Sequence, residues 1–138
     1  MRIEDTSKQI GSSWIAPVQV SASRTNDQFM PAFDPNTLGE MTVSYYSRHQ
    51  DTNNVRYRNY FNILNVNGGK PAGNSDMPMT PATDYDPADQ PRRPGFLGDY
   101  QDVWSWDFGG DYGFNSAWTR AGTATAVEPS DIMITGIR

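Results

Sequence analysis

The sequence predicts an all-β fold, and three observations carry that prediction. Ten prolines and twelve glycines are scattered through 138 residues, which leaves little room for a long helix. Apolar residues fall into short runs that alternate with polar ones, as Val55 and Tyr57 do against Arg56 and Arg58. A period of two belongs to a strand. Clusters of Asn, Asp, Ser, Thr and Gly separate these runs, as the turns of a many-stranded sheet require. Only 36% of the chain is hydrophobic while 12% is aromatic, so the core must be built largely from Tyr, Trp and Phe.

Residues 1–13 read as a polar lead-in. Residues 14–21, WIAPVQVS, form a first short strand, with Pro17 confining it to a sheet edge or a bulge. A second apolar segment, Phe29 to Phe33, is stopped by the turn signal Asp34-Pro35-Asn36. Gly39 to Ser47 is rich in β-branched and aromatic residues and reads as a strong strand. Val55 to Val66 is the next, ended by Asn67-Gly68-Gly69. Residues 69–95 hold six of the ten prolines and are expected to form a loop, with a short strand near Met79 to Tyr85. Strand signals resume at Leu97 to Trp106, Tyr112 to Thr119 and Asp131 to Ile137.

Charge narrows the partners. A formal net charge of −5 disfavours nucleic acid, whose phosphates need a basic footprint. Lys8 and Lys70 are the two lysines against nine arginines, and arginine suits bidentate contacts to carboxylates and stacking on rings. There is no cysteine, hence no disulfide and no thiolate metal site. No apolar run approaches a membrane span, and MRIEDTSKQIGSS lacks the apolar centre of a signal peptide, so the chain as given is expected to be soluble.

Cofactor signals are weak. Gly68-Gly69-Lys70 lacks the earlier glycine and the following Ser or Thr of a phosphate loop. Asp84, Asp86 and Asp89 hint at calcium without the glycine and closing glutamate of an EF-hand loop, so no cofactor is expected. His49 is the only histidine, expected in a solvated loop, which leaves no His pair for a metal and no Ser-His-Asp set.

A repeat runs through the chain. Asp34, a turn and VSYYSR ending at Arg48 parallel Asp107, a turn and NSAWTR ending at Arg120. In register from the arginines, Ser44 matches Ser116, Tyr46 matches Trp118 and Ser47 matches Thr119. Without the proline-rich insertion the unit has about 45 residues, the size of one propeller blade.

The order DQFMPAFDP, VSYYSR, a proline-rich stretch, FLGDYQDVWSWD and NSAWTRAG resembles the sialidase-like (neuraminidase, BNR-repeat) β-propellers over roughly residues 14–138. It is similar to about two of their later blades. The resemblance implies an outer strand at 14–21, a first blade over 27–95 with its loop at 69–95, and a second over 96–138. The family's Asp-box is met only in part, by Ser105, Asp107, Gly109 and Tyr112, and the blades carrying its catalytic acid and much of its arginine triad are missing. Sialidase activity is therefore not carried over. Two blades cannot close on themselves, since propellers need about four to eight. Three copies would give six blades, with the N-terminal strand of each completing the last blade of its neighbour, and a homotrimer is expected on that ground. The alternative is a fragment of a longer propeller. The resembled family is often secreted.

Six residues are the expected ligand-binding set. Asp99 and Tyr100 would border a central channel, where three carboxylates suit a cation or sugar hydroxyls; the competing role for Asp99 is a turn aspartate. Arg48 and Arg120 could hold the carboxylate of an acidic sugar, or else bridge to acidic side chains and stack on Tyr46 and Trp118. Tyr46 and Trp118, with Tyr45, Trp104 and Trp106, would supply sugar-stacking rings, although most of these must be core. The leading expectation is a non-catalytic carbohydrate-binding propeller. The alternatives are a glycoside hydrolase assembled from several copies, using Asp99, Asp102 and Asp107, and a protein-interaction module using loop 69–95.

Overall fold

The computed structural model describes residues 2–3, 17–65, 72–73, 76–80, 101–120 and 131–137. All regular structure among them is β: β1 (Arg2–Ile3), β2 (Val18–Gln19), β3 (Gln28–Pro35), β4 (Glu40–Ser47), β5 (Arg58–Asn65), β6 (Ala72–Gly73), β7 (Met77–Pro78), β8 (Asp102–Phe108), β9 (Asp111–Arg120) and β10 (Asp131–Ile137). No helix among them is long and apolar enough to cross a membrane.

The first main sheet is an antiparallel meander in the order β3-β4-β5-β6, with β7 also on β5. Its first hairpin turns at Asn36, whose Oδ1 accepts the Leu38 and Glu40 N–H groups at 3.0 and 2.9 Å. This is the local bond that makes asparagine a turn residue. In β3 the register shifts between Phe29 and Ala32, where Met30 has φ 50°. A bulge of this kind bends the strand and lets Met30 join the aromatic core.

The second sheet is the meander β10-β9-β8. Its tight turn falls on Gly109 and Gly110, both at positive φ (64° and 94°), between the paired residues Phe108 and Asp111. Such a two-residue loop matches the strand twist only when both central residues are left-handed.

Strand β4 is buried on both sides, so two cores form. Met41, Val43 and Tyr45 meet Tyr60, Leu64 and Val20 on one face. On the other, Tyr46 and Tyr57 meet Trp118 of the second sheet, flanked by Phe29, Met30, Met79 and Met133. Polar bonds stitch this second seam. Gln101 accepts from Asn59 and donates to Ser44, each at 2.9 Å. The Ser105 N–H donates to Asp34 at 2.6 Å, and Thr37 to Asp107 at 2.8 Å. The Tyr46 hydroxyl donates to the Thr119 carbonyl at 2.9 Å and accepts its N–H at 3.0 Å.

The main strands fall where the alternation places them, and Asp131–Ile137 coincides with its expected span. Other expectations move. The lead-in contributes Arg2–Ile3, which pairs with Val18–Gln19. Of the first expected strand, 14–21, residues 14–16 lie outside the described residues, Val18–Gln19 are strand, and Val20 turns into its own chain's first core. β7 at Met77–Pro78 ends just before the short strand expected at Met79 to Tyr85, of which residues 81–85 lie outside the described residues. β8 begins at Asp102 and runs on to Phe108, while residues 97–100 lie outside the described residues.

Tyr46 and Trp118, which the repeat equates, meet in one cluster.

Replacing Tyr46 by Phe leaves the Thr119 N–H and carbonyl without this partner, an expected loss of about 1–3 kcal/mol. An unchanged urea midpoint would show that the seam does not depend on that hydroxyl.

Candidate functional site

Arg48 leaves the end of β4 and is held locally. Its N–H donates to the Asp27 carbonyl at 3.0 Å, and its carbonyl accepts from Asn26 Nδ2 at 3.2 Å. The guanidinium donates through Nη1 to Asp27 Oδ2 at 2.9 Å and lies 5.1 Å from the centre of the Phe29 ring. Phe29 in turn stacks on Tyr46, with centroids 5.5 Å apart. A column therefore forms, arginine on phenylalanine on tyrosine, with the carboxylate at its open end.

Arg120 ends β9, with its backbone paired to Asp131. The Tyr46 hydroxyl bonds the residue before it, Thr119, which draws the ends of β4 and β9 together. The two arginine-bearing strand ends are thus neighbours. Tyr46 and Trp118 are sealed in the core, so neither offers a ring face to solvent in this chain. Tyr45 is also buried, whereas Trp104 is 39% exposed. Asp99 and Tyr100 lie outside the described residues, as do Asp84, Asp86 and Asp89.

Of the hydrolase candidates, the two that lie among the described residues make no pair within one chain. Asp102 and Asp107 point to opposite faces of β8, and five residues of strand separate them by about 17 Å. A retaining pair stands only about 5 Å apart.

A second polar group escaped sequence reasoning. Asp76 accepts the Ala22 and Ser23 N–H groups at 2.8 and 3.4 Å, the Asn62 amide at 3.3 Å and the Tyr45 hydroxyl. Burial first, and then this carboxylate, raises the Tyr45 phenol well above its ordinary pKa. Close by, Arg58 is 1% exposed, yet it donates to Gln50 Oε1 at 3.0 Å and to the Thr80 carbonyl, and lies 5.7 Å from the Tyr60 ring centre. No spacing rule ties Asp76 to Tyr45 or Arg58 to Thr80, and only a contact map could have paired them.

His49 belongs to this group and is half-buried, not solvated as expected. Its Nδ1 is 2.8 Å from Ser47 Oγ, and its ring centre is 4.7 Å from that of Tyr60. Ser47 is itself buried and also accepts the His49 N–H at 3.2 Å, which makes the pair a local turn rather than a nucleophile and its base. Among the described residues no three His, Asp or Glu side chains are grouped to hold a metal.

Compared with known proteins, the chain matches no family model, no curated protein and no solved structure.

Burial, opposed by Asp76 and reinforced by Arg58, holds the His49 pKa below its ordinary 6.5. Below that pH the unfolded chain takes up the proton first, so stability from the neutral ring is full above pH 6.5 and declines as pH falls through it. His49→Gln should flatten the acid-side dependence of the urea midpoint. Parallel wild-type and variant curves would show that burial does not keep the ring neutral.

Proposed function

We propose that this chain is a non-catalytic, sialidase-like propeller unit that binds an acidic carbohydrate where the ends of β4 and β9 meet. One observation carries the reading: the Tyr46–Thr119 bonds bring the strand ends bearing Arg48 and Arg120 together. Arg48 already holds a carboxylate, that of Asp27, which a ligand carboxylate would replace. The stacked rings beneath it fix the guanidinium in place, so little side-chain entropy is lost on binding.

The strand order supports the propeller part. A four-strand meander, β3-β4-β5-β6, is followed by a second meander, β8-β9-β10, whose first strand lies against β3. β10 has one neighbour among the described residues, and an open edge of this kind favours pairing with another chain. Three copies then complete a six-bladed ring. The lent strand is limited to residues before Val20, because Val20 to Ser23 are tied to their own chain through Asn62 and Asp76.

Titration calorimetry with N-acetylneuraminic acid and with glucuronic acid tests the site. Binding of one of them should be lost in Arg48→Ala and in Arg120→Ala, and strengthened in Asp27→Asn, which removes the competing charge. Heats at baseline for both sugars, with Asp27→Asn as silent as the wild type, would end this reading. Light scattering tests the ring separately: three times the 15.4 kDa chain mass is expected, and a stable monomer excludes it.

A further inference from the structure

Two side-chain donors converge on one oxygen. Asp27 Oδ2 accepts Arg48 Nη1 at 2.9 Å and Asn54 Nδ2 at 3.1 Å. The Asp27 side chain is 56% exposed and that of Arg48 23%, so the acceptor stands in water while the cation is sheltered. Asp27 reaches the guanidinium through Nη1 alone, and Arg48 Nε is buried with no partner among the described residues. This one-point contact is weaker than the two-point fork that arginine makes with a well-placed carboxylate.

Neither donor depends on that carboxylate for its place. Arg48 is fixed by the Phe29 ring and by its backbone bonds. Asn54 sits at φ 55°, a left-handed position that asparagine tolerates, and its N–H donates to the Asp51 carbonyl at 2.9 Å. The Asp51 carboxylate closes the turn, accepting the Val55 and Arg56 N–H groups at 2.8 and 2.6 Å. Asn26 Nδ2 ties its own loop to this turn by donating to the Arg48 and Asp51 carbonyls, at 3.2 and 2.7 Å. The Asn54 amide is oriented as well: its Oδ1 accepts the Asp27 N–H at 3.3 Å, which leaves Nδ2 aimed at the carboxylate.

We infer that Arg48 Nη1 and Asn54 Nδ2 form a two-donor site for one carboxylate oxygen of a ligand, with the Asp27 side chain as its internal occupant. Two N–H donors aimed at one point select an oxygen that accepts twice. The guanidinium charge selects an anion over an amide or a hydroxyl. A carboxylate that displaces the Asp27 side chain leaves the Asp27 N–H and the Asn54 amide oxygen still bonded, so the second donor stays aimed. The site opens only when the Asp27 side chain swings into water, which lowers the apparent affinity in proportion to the open fraction. This inference rests on the carboxylate reading of Arg48 above and adds Asn54 to it as a contact of the ligand.

Sodium acetate is the probe, titrated at neutral pH against sodium chloride of equal ionic strength. The NMR signals of the Arg48 Nε–H and the Asn54 side-chain amide report binding. Asp27→Ala should show a saturable shift of both, and wild type the same shifts at about fivefold higher acetate. Adding Asn54→Gly, which keeps the left-handed backbone without the amide, should weaken binding about tenfold by the Arg48 signal. Adding Arg48→Gln instead should abolish the shift of the Asn54 amide. Acetamide, the neutral analogue, should move neither signal. Circular dichroism and the urea midpoint check that each variant folds, with Asp27→Ser in place of Asp27→Ala if the latter does not. Equal affinity with and without the Asn54 amide overturns its role and leaves Arg48 as a lone anion contact. Equal affinity in wild type and Asp27→Ala overturns the internal occupant. No saturable shift in Asp27→Ala overturns the whole inference, while the calorimetry above still decides the sugar reading. An Asn54-dependent acetate site in a protein that binds neither sugar upholds the inference and removes the carbohydrate.

Discussion

The fold depends on one strand having no solvent side. β4 sends Met41, Val43 and Tyr45 into one core and Tyr46 into another, with Thr42 and Ser44 buried on the side of Tyr46 and Ser47 on the side of Tyr45. Everything on either side is arranged to cover it. β3 and β5 flank it in the sheet, the Val20 segment covers one face and the second sheet covers the other. A strand sealed in this way cannot shift register by a single residue without exchanging its two cores.

Sealing it with so few aliphatic residues has a chemical consequence. The interior is closed by tyrosines and by hydrogen-bonded polar side chains. Asn62 reaches the Val20 carbonyl at 2.9 Å, Gln101 bridges Asn59 and Ser44, and Arg58 ends on Gln50 and Thr80. A buried polar group stabilises little in itself but is costly when left unpaired. These contacts therefore define which segment lies where more than they add to the total stability. Asp76 shows this most plainly: a single carboxylate fastens the leading segment, the first sheet and the Tyr45 hydroxyl to one another.

The proposed site inherits its geometry from the same seam. Tyr46 is a core residue whose hydroxyl reaches across to Thr119, so its part in the proposed site is to place the strand ends rather than to touch a ligand. Arg48, half-sheltered over Phe29, is the partly exposed outcome of that arrangement.

Alternation and turn chemistry in the sequence determined the strands themselves. Runs such as Gly39 to Ser47 and Asp131 to Ile137 carry their period locally, and Asn36 and Gly109-Gly110 carry their turns locally. The aromatic core was legible in the same way, because a chain that is 36% hydrophobic has few other residues to bury. What only tertiary structure decided was which faces meet. Tyr46 lies against Trp118, His49 is drawn under Tyr60, and Asp76 finds Tyr45. Such pairings follow from how two sheets stack, and a sheet's pattern of inward and outward residues states that a face must be covered without stating by what.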